Sequence, residues 1–377
     1  MWRTRVSQRL TTRRGDAPVH RRRERIQRPG RGPMRVAYEQ AVVHEAFSFK
    51  ARVLQRTTRI VFKPILMWTP INERAFLTIQ RLDALSGRRR RSPHIQFEAR
   101  ELGGVRVESM RHGYGPDSEM TLLYLHGGGF FSGSIVTHRR ICERLALKTG
   151  ATVISVDYVQ LPVGSVADSV RDAITAYAAL VQESPHPDKI VVAGDSAGGY
   201  LAMKVAELAT RRGLPAPAAI LGFSPLLSLD PEREDKAVTR IIRPHDAYLP
   251  AKRLAKIREQ WLPEGPAIEG FASPLHASAY IRSPTFFVVV EDEILRPEAE
   301  AMALLLSDRG VEVEIHLWRK QVHAFPVLAD VLPESDMAIQ LAAEFARRAV
   351  GELDRQPTVD PDSHTETISA QVPGPAA

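Results

Sequence analysis

Cysteine is nearly absent from this chain: Cys142 is the only one in 377 residues. An intrachain disulfide is therefore excluded, and with it the cross-linked scaffolds of small secreted domains. The expected setting is reducing and cytoplasmic. Cys142 lies beside Ile141 and Leu145 in a helix-like stretch, which predicts a buried structural thiol. Long hydrophobic runs are missing too. A bilayer span needs about 20 consecutive apolar residues, whereas the stretch Ile60–Met67 is short and interrupted by Lys63. No apolar segment near the start has the length of a secretory signal. His, Cys and Asp do not recur at metal-ligand spacing, so no metal and no cofactor is expected. No internal repeat is found.

Apolar residues are also scarce in residues 1–33. That segment carries Arg3, Arg5, Arg9, Arg13, Arg14, Arg21, Arg22, Arg23, Arg25, Arg28 and Arg31 against only Asp16 and Glu24. Such a composition cannot pack a core and predicts a disordered basic arm. The formal charge of +7 is concentrated there. No specific nucleic-acid partner is expected; weak contact with an anionic surface, as in peripheral membrane association, is the most the arm suggests. Met34 opens the first segment of ordinary composition.

What is present is a globular composition, 44% apolar, in a chain long enough for a substantial core. Residues 34–95 read as helical, with Val53, Leu54 and Val61 followed by a second candidate at Ala75–Leu85. Residues 96–350 alternate strand and helix signals. Strands are predicted at Thr121–Leu125, Thr152–Asp157, Ile190–Ala193, Ala219–Phe223, Thr285–Val290 and Val311–Leu317. Helices are predicted at Arg139–Lys148, Val166–Val181, Ala197–Arg212, Glu298–Asp308 and Ser335–Val350. Such alternation implies an α/β fold with a mostly parallel central sheet and helices on both faces. Proline-rich residues 226–275 interrupt the rhythm as an insertion suited to part of a lid, and residues 351–377 read as a disordered tail.

The chemistry centres on Gly194-Asp195-Ser196-Ala197-Gly198. An apolar run precedes it and a helical pattern follows, so Ser196 sits on a sharp strand-to-helix turn. A serine hydroxyl needs a base to take its proton, an acid to orient that base and donors to hold an oxyanion. His323 follows the strand Val311–Leu317, at the end of a parallel strand where such sheets place their chemistry. His316 falls inside that strand. Glu291, Asp292 and Glu293 follow the strand Thr285–Val290, and spacing alone does not separate them. His126-Gly127-Gly128-Gly129 follows the strand Thr121–Leu125 and offers bare backbone N–H groups, which the N–H of Ala197 would supplement.

His126-Gly-Gly-Gly-Phe130 followed by Gly194-Asp-Ser-Ala-Gly198 resembles the hormone-sensitive-lipase-like branch of the α/β hydrolases, which includes bacterial carboxylesterases and arylacetamide-deacetylase-type enzymes. The resemblance covers roughly residues 95–350. It implies an α/β-hydrolase fold with a helical cap built from 34–95 and the insertion around 226–275. It implies Ser196, Glu293 and His323 as the triad. Glu293 is preferred over Asp292 because Glu293-Ile294-Leu295-Arg296 and Gly310 match the family pattern. Gly128, Gly129 and Ala197 resemble its oxyanion-hole donors. One departure stands out: after Asp157-Tyr158 the family commonly has Arg-Leu-Ala-Pro-Glu, and here Val159-Gln160-Leu161-Pro162-Val163 lacks the arginine and the glutamate. The expected activity is carboxylic-ester hydrolysis through an acyl-enzyme on short- to medium-chain esters, with a small-molecule ester as the partner. Phe130, Phe131, Trp68 and Tyr200 are candidate pocket walls. The rivals are a non-catalytic small-molecule binder on the same fold, an amide or lactone hydrolase, and a nucleic-acid or membrane-surface binder acting through residues 1–33.

Overall fold

Buried strands that read as unbroken apolar runs build the centre of the molecule. The computed structural model describes residues 40–86, 91–114, 116–229, 245–261 and 267–354. The basic arm 1–33, most of the C-terminal tail and residues 230–244 and 262–266 of the insertion lie outside the described residues. The strands are β1 (Val42–His44), β2 (Ile95–Leu102), β3 (Val105–His112), β4 (Thr121–Leu125), β5 (Thr152–Val156), β6 (Ile190–Asp195), β7 (Ala219–Phe223), β8 (Thr285–Val290) and β9 (Val313–Trp318). They form one nine-stranded sheet in the order β1-β9-β8-β7-β6-β4-β5-β3-β2. Pairing is parallel from β1 through to β5, and antiparallel only where β3 meets β5 and β2.

The helices are α1 (Phe49–Thr57), which runs through a π turn (Thr58–Phe62) into α2 (Lys63–Trp68), then α3 (Glu73–Ser86), α4 (Arg139–Thr149), α5 (Val166–Glu183), α6 (Ala197–Arg211), α7 (Ala251–Trp261), α8 (Arg296–Ser307) and α9 (Pro333–Ala349). Side chains alternate across a strand. Leu122, Tyr124, Val191, Ala193, Leu221, Phe286 and Val288 therefore face one core, shared with Ile141 and Leu145 of α4 and Ala338, Ile339 and Phe345 of α9. The intervening Leu123, Leu125, Val192, Ile220, Phe287 and Val289 are buried on the opposite face. There α6 packs along β4, β6 and β7, with α5 against α6. Cys142 is fully buried in the first core, and burial pushes its thiol pKa up.

Two expectations need correction. Residues 34–95 are not wholly helical: Val42–His44 pairs with His316–Trp318 as an edge strand. Three residues are too few to show a period. The hairpin β2–β3 was likewise not among the predicted strands. Strand β2 is the half-exposed edge of the sheet, and β3 behind it is mostly buried but carries the charged residues Arg106, Glu108 and Arg111, so neither reads as an unbroken apolar run. Because β4, β6, β8 and β9 run the same way, the loops that follow them emerge along one edge of the sheet, the edge where sheets of this kind bind their ligands.

Candidate active site

Ser196 joins β6 to α6 with φ 51° and ψ −117°, a backbone conformation that side chains rarely adopt. The surroundings enforce it. The Ser196 N–H donates to the Phe223 carbonyl at 3.0 Å, and its own carbonyl accepts from the N–H groups of Leu226 at 3.0 Å and Tyr200 at 3.2 Å. Close packing is required as well: a Cβ at Gly198 would come within 1.9 Å of the Leu125 carbonyl oxygen. The motif glycine thus lets the elbow press against the end of β4.

His323 lies 30 positions from Glu293 and 127 from Ser196 in the chain, yet all three side chains meet. His323 Nε2 lies 2.9 Å from Ser196 Oγ. His323 Nδ1 lies 2.9 Å from Glu293 Oε2. Glu293 Oε1 accepts the Val290 N–H at 2.9 Å, which locks the carboxylate at the end of β8. Glu293 is almost wholly buried, and His323 is nearly so. Burial, the largest influence on His323, disfavours its charged form. The hydrogen bond and charge of Glu293, with the charges of Asp246 and Asp195, outweigh burial and raise the imidazole pKa above its ordinary value. The neighbouring carboxylates are not at the imidazole: Glu291 pairs with Arg319 at 3.1 Å, and Asp292 is only partly buried. His316 instead faces His44 at 2.9 Å on the sheet edge.

The glycine loop lies beside the elbow, since Leu125 is paired with Gly194 across β4 and β6. Among the described residues, the N–H groups of Gly128 and Gly129 donate to no backbone acceptor outside the helices and strands, and Ala197 opens α6, where the first N–H groups have no partner within the helix. Gly128 has φ 121°, and a Cβ there would sit 2.0 Å from the Ser132 carbonyl oxygen, so only glycine fits. Asp195, the residue before the serine, fixes this loop. Its Oδ1 accepts from Tyr124 Oη at 2.8 Å and from the Gly127 N–H at 3.0 Å, and Oδ2 faces His138 Nε2 at 3.3 Å. Burial alone would raise the Asp195 pKa; the charge and hydrogen bond of His138, with Tyr124 and His126, hold it below the usual carboxylate range. His126 stacks on Tyr158 with ring centroids 4.4 Å apart, and burial lowers its pKa to about 3. It is a neutral packing residue in the loop.

In the segment after Tyr158, which lacks the arginine and glutamate of the family pattern, amide side chains bond the nearby carbonyls. Gln160 Nε2 donates to the carbonyls of Ser132 and Gly133, each at 3.2 Å. Gln80 Nε2, from α3, donates to the Leu161 carbonyl at 2.8 Å. Sequence reasoning missed Asp195, His138, Gln80 and Gln160 as supports of the loop. The aspartate was visible within the motif, but its partners lie on other elements.

Described parts of the insertion close on the same edge. Trp261 Nε1 donates to the Gly129 carbonyl at 2.9 Å, and its ring meets Phe130 edge to face at 5.5 Å. Phe130 and Tyr200 are also edge to face at 5.5 Å. Asp246 accepts the Ile294 N–H at 2.9 Å, next to Glu293, and the Tyr248 ring stacks on His323 at 5.7 Å. Phe131 stacks on Phe76 of α3. Trp68 departs from its expected place: it is 83% exposed and faces solvent. Among the described residues no group of His, Cys, Asp or Glu is arranged to hold a metal ion.

Comparison with known proteins identifies the fold. Residues 122–327 match a family described as alpha/beta hydrolase fold. The chain is 32% identical to an acetyl-hydrolase of Streptomyces hygroscopicus over 232 residues, covering 62% of this chain and 77% of that protein. It is 33% identical to esterase LipU of Mycobacterium tuberculosis over 243 residues, covering 61% of this chain and 78% of that protein. The crystal structure of an esterase from the bacterial hormone-sensitive lipase family superposes with a TM-score of 0.69 at 26% identity, covering 81% of this chain and 100% of that one. With a nine-stranded, mostly parallel sheet and a serine elbow after β6, this chain belongs to the alpha/beta hydrolase fold family, as an esterase-type hydrolase.

Proposed function

We propose that the protein hydrolyses short- to medium-chain carboxylic esters through an acyl-enzyme on Ser196. The observation that carries this reading is the unbroken relay from Ser196 Oγ through His323 to Glu293, with both contacts at 2.9 Å. Ser196 Oγ attacks the ester carbonyl while its proton passes to His323 Nε2. Glu293 holds Nδ1–H and stabilises the imidazolium. The N–H groups of Gly128, Gly129 and Ala197 receive the oxyanion, each contributing on the order of 3 kcal/mol in the transition state. His323 then returns the proton to the departing alkoxide, which leaves as the alcohol. Water, deprotonated by the same imidazole, attacks the acyl-enzyme, and the carboxylic acid departs with Ser196 restored.

In this reading residues 34–95 and the insertion around 226–275 act as a cap over the acyl site. The bond from Trp261 to the glycine loop, and the Lys63 ammonium donating to the Asp246 carbonyl at 2.6 Å, support that role. Phe130, Tyr200 and Trp261 would line the acyl pocket. The test is a p-nitrophenyl ester series from acetate to octanoate, with the matching anilides as amide controls. Ser196→Ala is expected to lower kcat by about 10⁶-fold. Turnover surviving in that variant, or tight ligand binding without turnover in the wild type, would overturn the reading.

A further inference from the structure

Helix α1, the π turn and α2 form one continuous rod, Phe49–Trp68. Ala51 and Thr58 are its only buried residues, whereas Phe49 is 76%, Ile60 72% and Trp68 83% exposed. Val53 and Ile65 are exposed as well. In a regular helix Phe49, Val53 and Ile60 share a face, while Ile65 and Trp68 would drift away from it. The π turn adds a residue to the helical count and sets the phase of α2 back. All five side chains then fall into one stripe, opposite Ala51 and Thr58. An apolar stripe of this extent on a protein surface marks an interaction site.

The charge pattern identifies the partner. From Ala46 to Asn72 the chain contains no Asp or Glu, but it contains Lys50, Arg52, Arg56, Arg59 and Lys63. Arg59 and Lys63 are used to hold the rod to the carbonyls of His245 and Asp246, next to Tyr248 and the imidazole it covers. Lys50, Arg52 and Arg56 are exposed beside the apolar stripe. Two copies meeting through this stripe would bring like charges together, whereas an acidic headgroup layer complements them. Among the described residues no helix is long and apolar enough to cross a membrane. We propose that the rod Phe49–Trp68 docks the protein on the surface of an anionic lipid bilayer. The apolar stripe enters the interfacial layer, and Lys50, Arg52 and Arg56 meet the headgroups. This docking is independent of the triad assignment and places the cap side of the molecule against the lipid.

The test is co-sedimentation of the full-length protein with phosphatidylglycerol–phosphatidylcholine vesicles and with pure phosphatidylcholine vesicles, at low and high salt. Partitioning onto the anionic vesicles is expected to be about 10-fold stronger or more, and to weaken with salt. The double variant I60D/I65D should lose about 10-fold or more of that partitioning, while its circular-dichroism spectrum and thermal midpoint stay those of the wild type. A second variant, R52E/R56E, should weaken partitioning onto anionic vesicles about 10-fold, leaving only the contribution of the basic residues 1–33. Equal partitioning onto both vesicle types overturns the proposal. So does wild-type vesicle binding by both variants. A wild-type dimer in sedimentation velocity that I60D/I65D dissociates would overturn it too, making a second copy of the chain the occupant.

Discussion

Glu293 shows what a single position can and cannot reveal. Three consecutive carboxylates follow β8, and neighbouring side chains at a strand end point in different directions. Only the path of the loop that carries His323 decides which one meets the ring, and it meets Glu293 at 2.9 Å. Glu293→Gln should leave the fold intact and lower kcat by about 10⁴-fold, measured on p-nitrophenyl acetate. The pH profile gives an independent check. His323 accepts a proton only when neutral, and its pKa is raised in the folded protein. The acid limb of kcat/KM should therefore lie above the ordinary histidine value of about 6.5. Glu293→Gln removes the hydrogen bond and charge that raise it and leaves the opposing burial, so the limb should move to lower pH.

At the scale of elements, the strands and helices nearest the site were legible. The strands β4, β7 and β8 and the helices α4 and α6 match their predicted spans within a residue, because buried parallel strands and amphipathic helices carry strong patterns. The edge was less legible. Strand β1 owes its existence to β9 alone. The β2–β3 hairpin had a signal that went unused, Gly103-Gly104 between two alternating segments. The supports of the glycine loop were legible only in part. Asp195 joins β4, β6 and the segment leading to α4 by accepting from Tyr124 and Gly127 and facing His138. Asp195→Asn removes a buried charge from beside an imidazole whose pKa it raises, and should cost about 3–5 kcal/mol in urea denaturation at neutral pH. The folded Asp195 pKa is lowered, so its contribution is present above the unfolded carboxylate value and is lost as pH falls through the folded one. The gap between wild type and variant should therefore narrow in acid.

At the scale of the whole molecule, the insertion returns to the body of the fold over a buried ion pair. Lys204 and Glu207 on α6 are both fully buried, and Lys204 Nζ also donates to the carbonyls of Glu269 and Phe271, each at 2.7 Å. Glu207 in turn accepts the Phe271 N–H at 2.9 Å. Lys204→Met would leave that carboxylate unpaired, with an expected loss of about 3–5 kcal/mol in chemical denaturation. Loss of the anchor should also raise KM for the longer esters more than it lowers kcat for acetate, since the segment lies behind Tyr200, whose hydroxyl donates to the Ala272 carbonyl at 2.8 Å.

By itself the sequence determined the local chemistry: a serine on a tight turn, a glycine loop after β4, a histidine after β9 and the apolar runs that make a covered sheet. Each of these is written in a few adjacent residues, because turn geometry and side-chain periodicity are short-range. The tertiary structure brought Glu293, which the family pattern already favoured, to the imidazole; it alone decided that the amides of Gln80 and Gln160 bond the carbonyls around the glycine loop and that a π turn brings two halves of a helical rod into one apolar stripe. Those outcomes depend on contacts between segments far apart in the chain, or on a phase shift in the backbone, and neither leaves a mark in residue spacing.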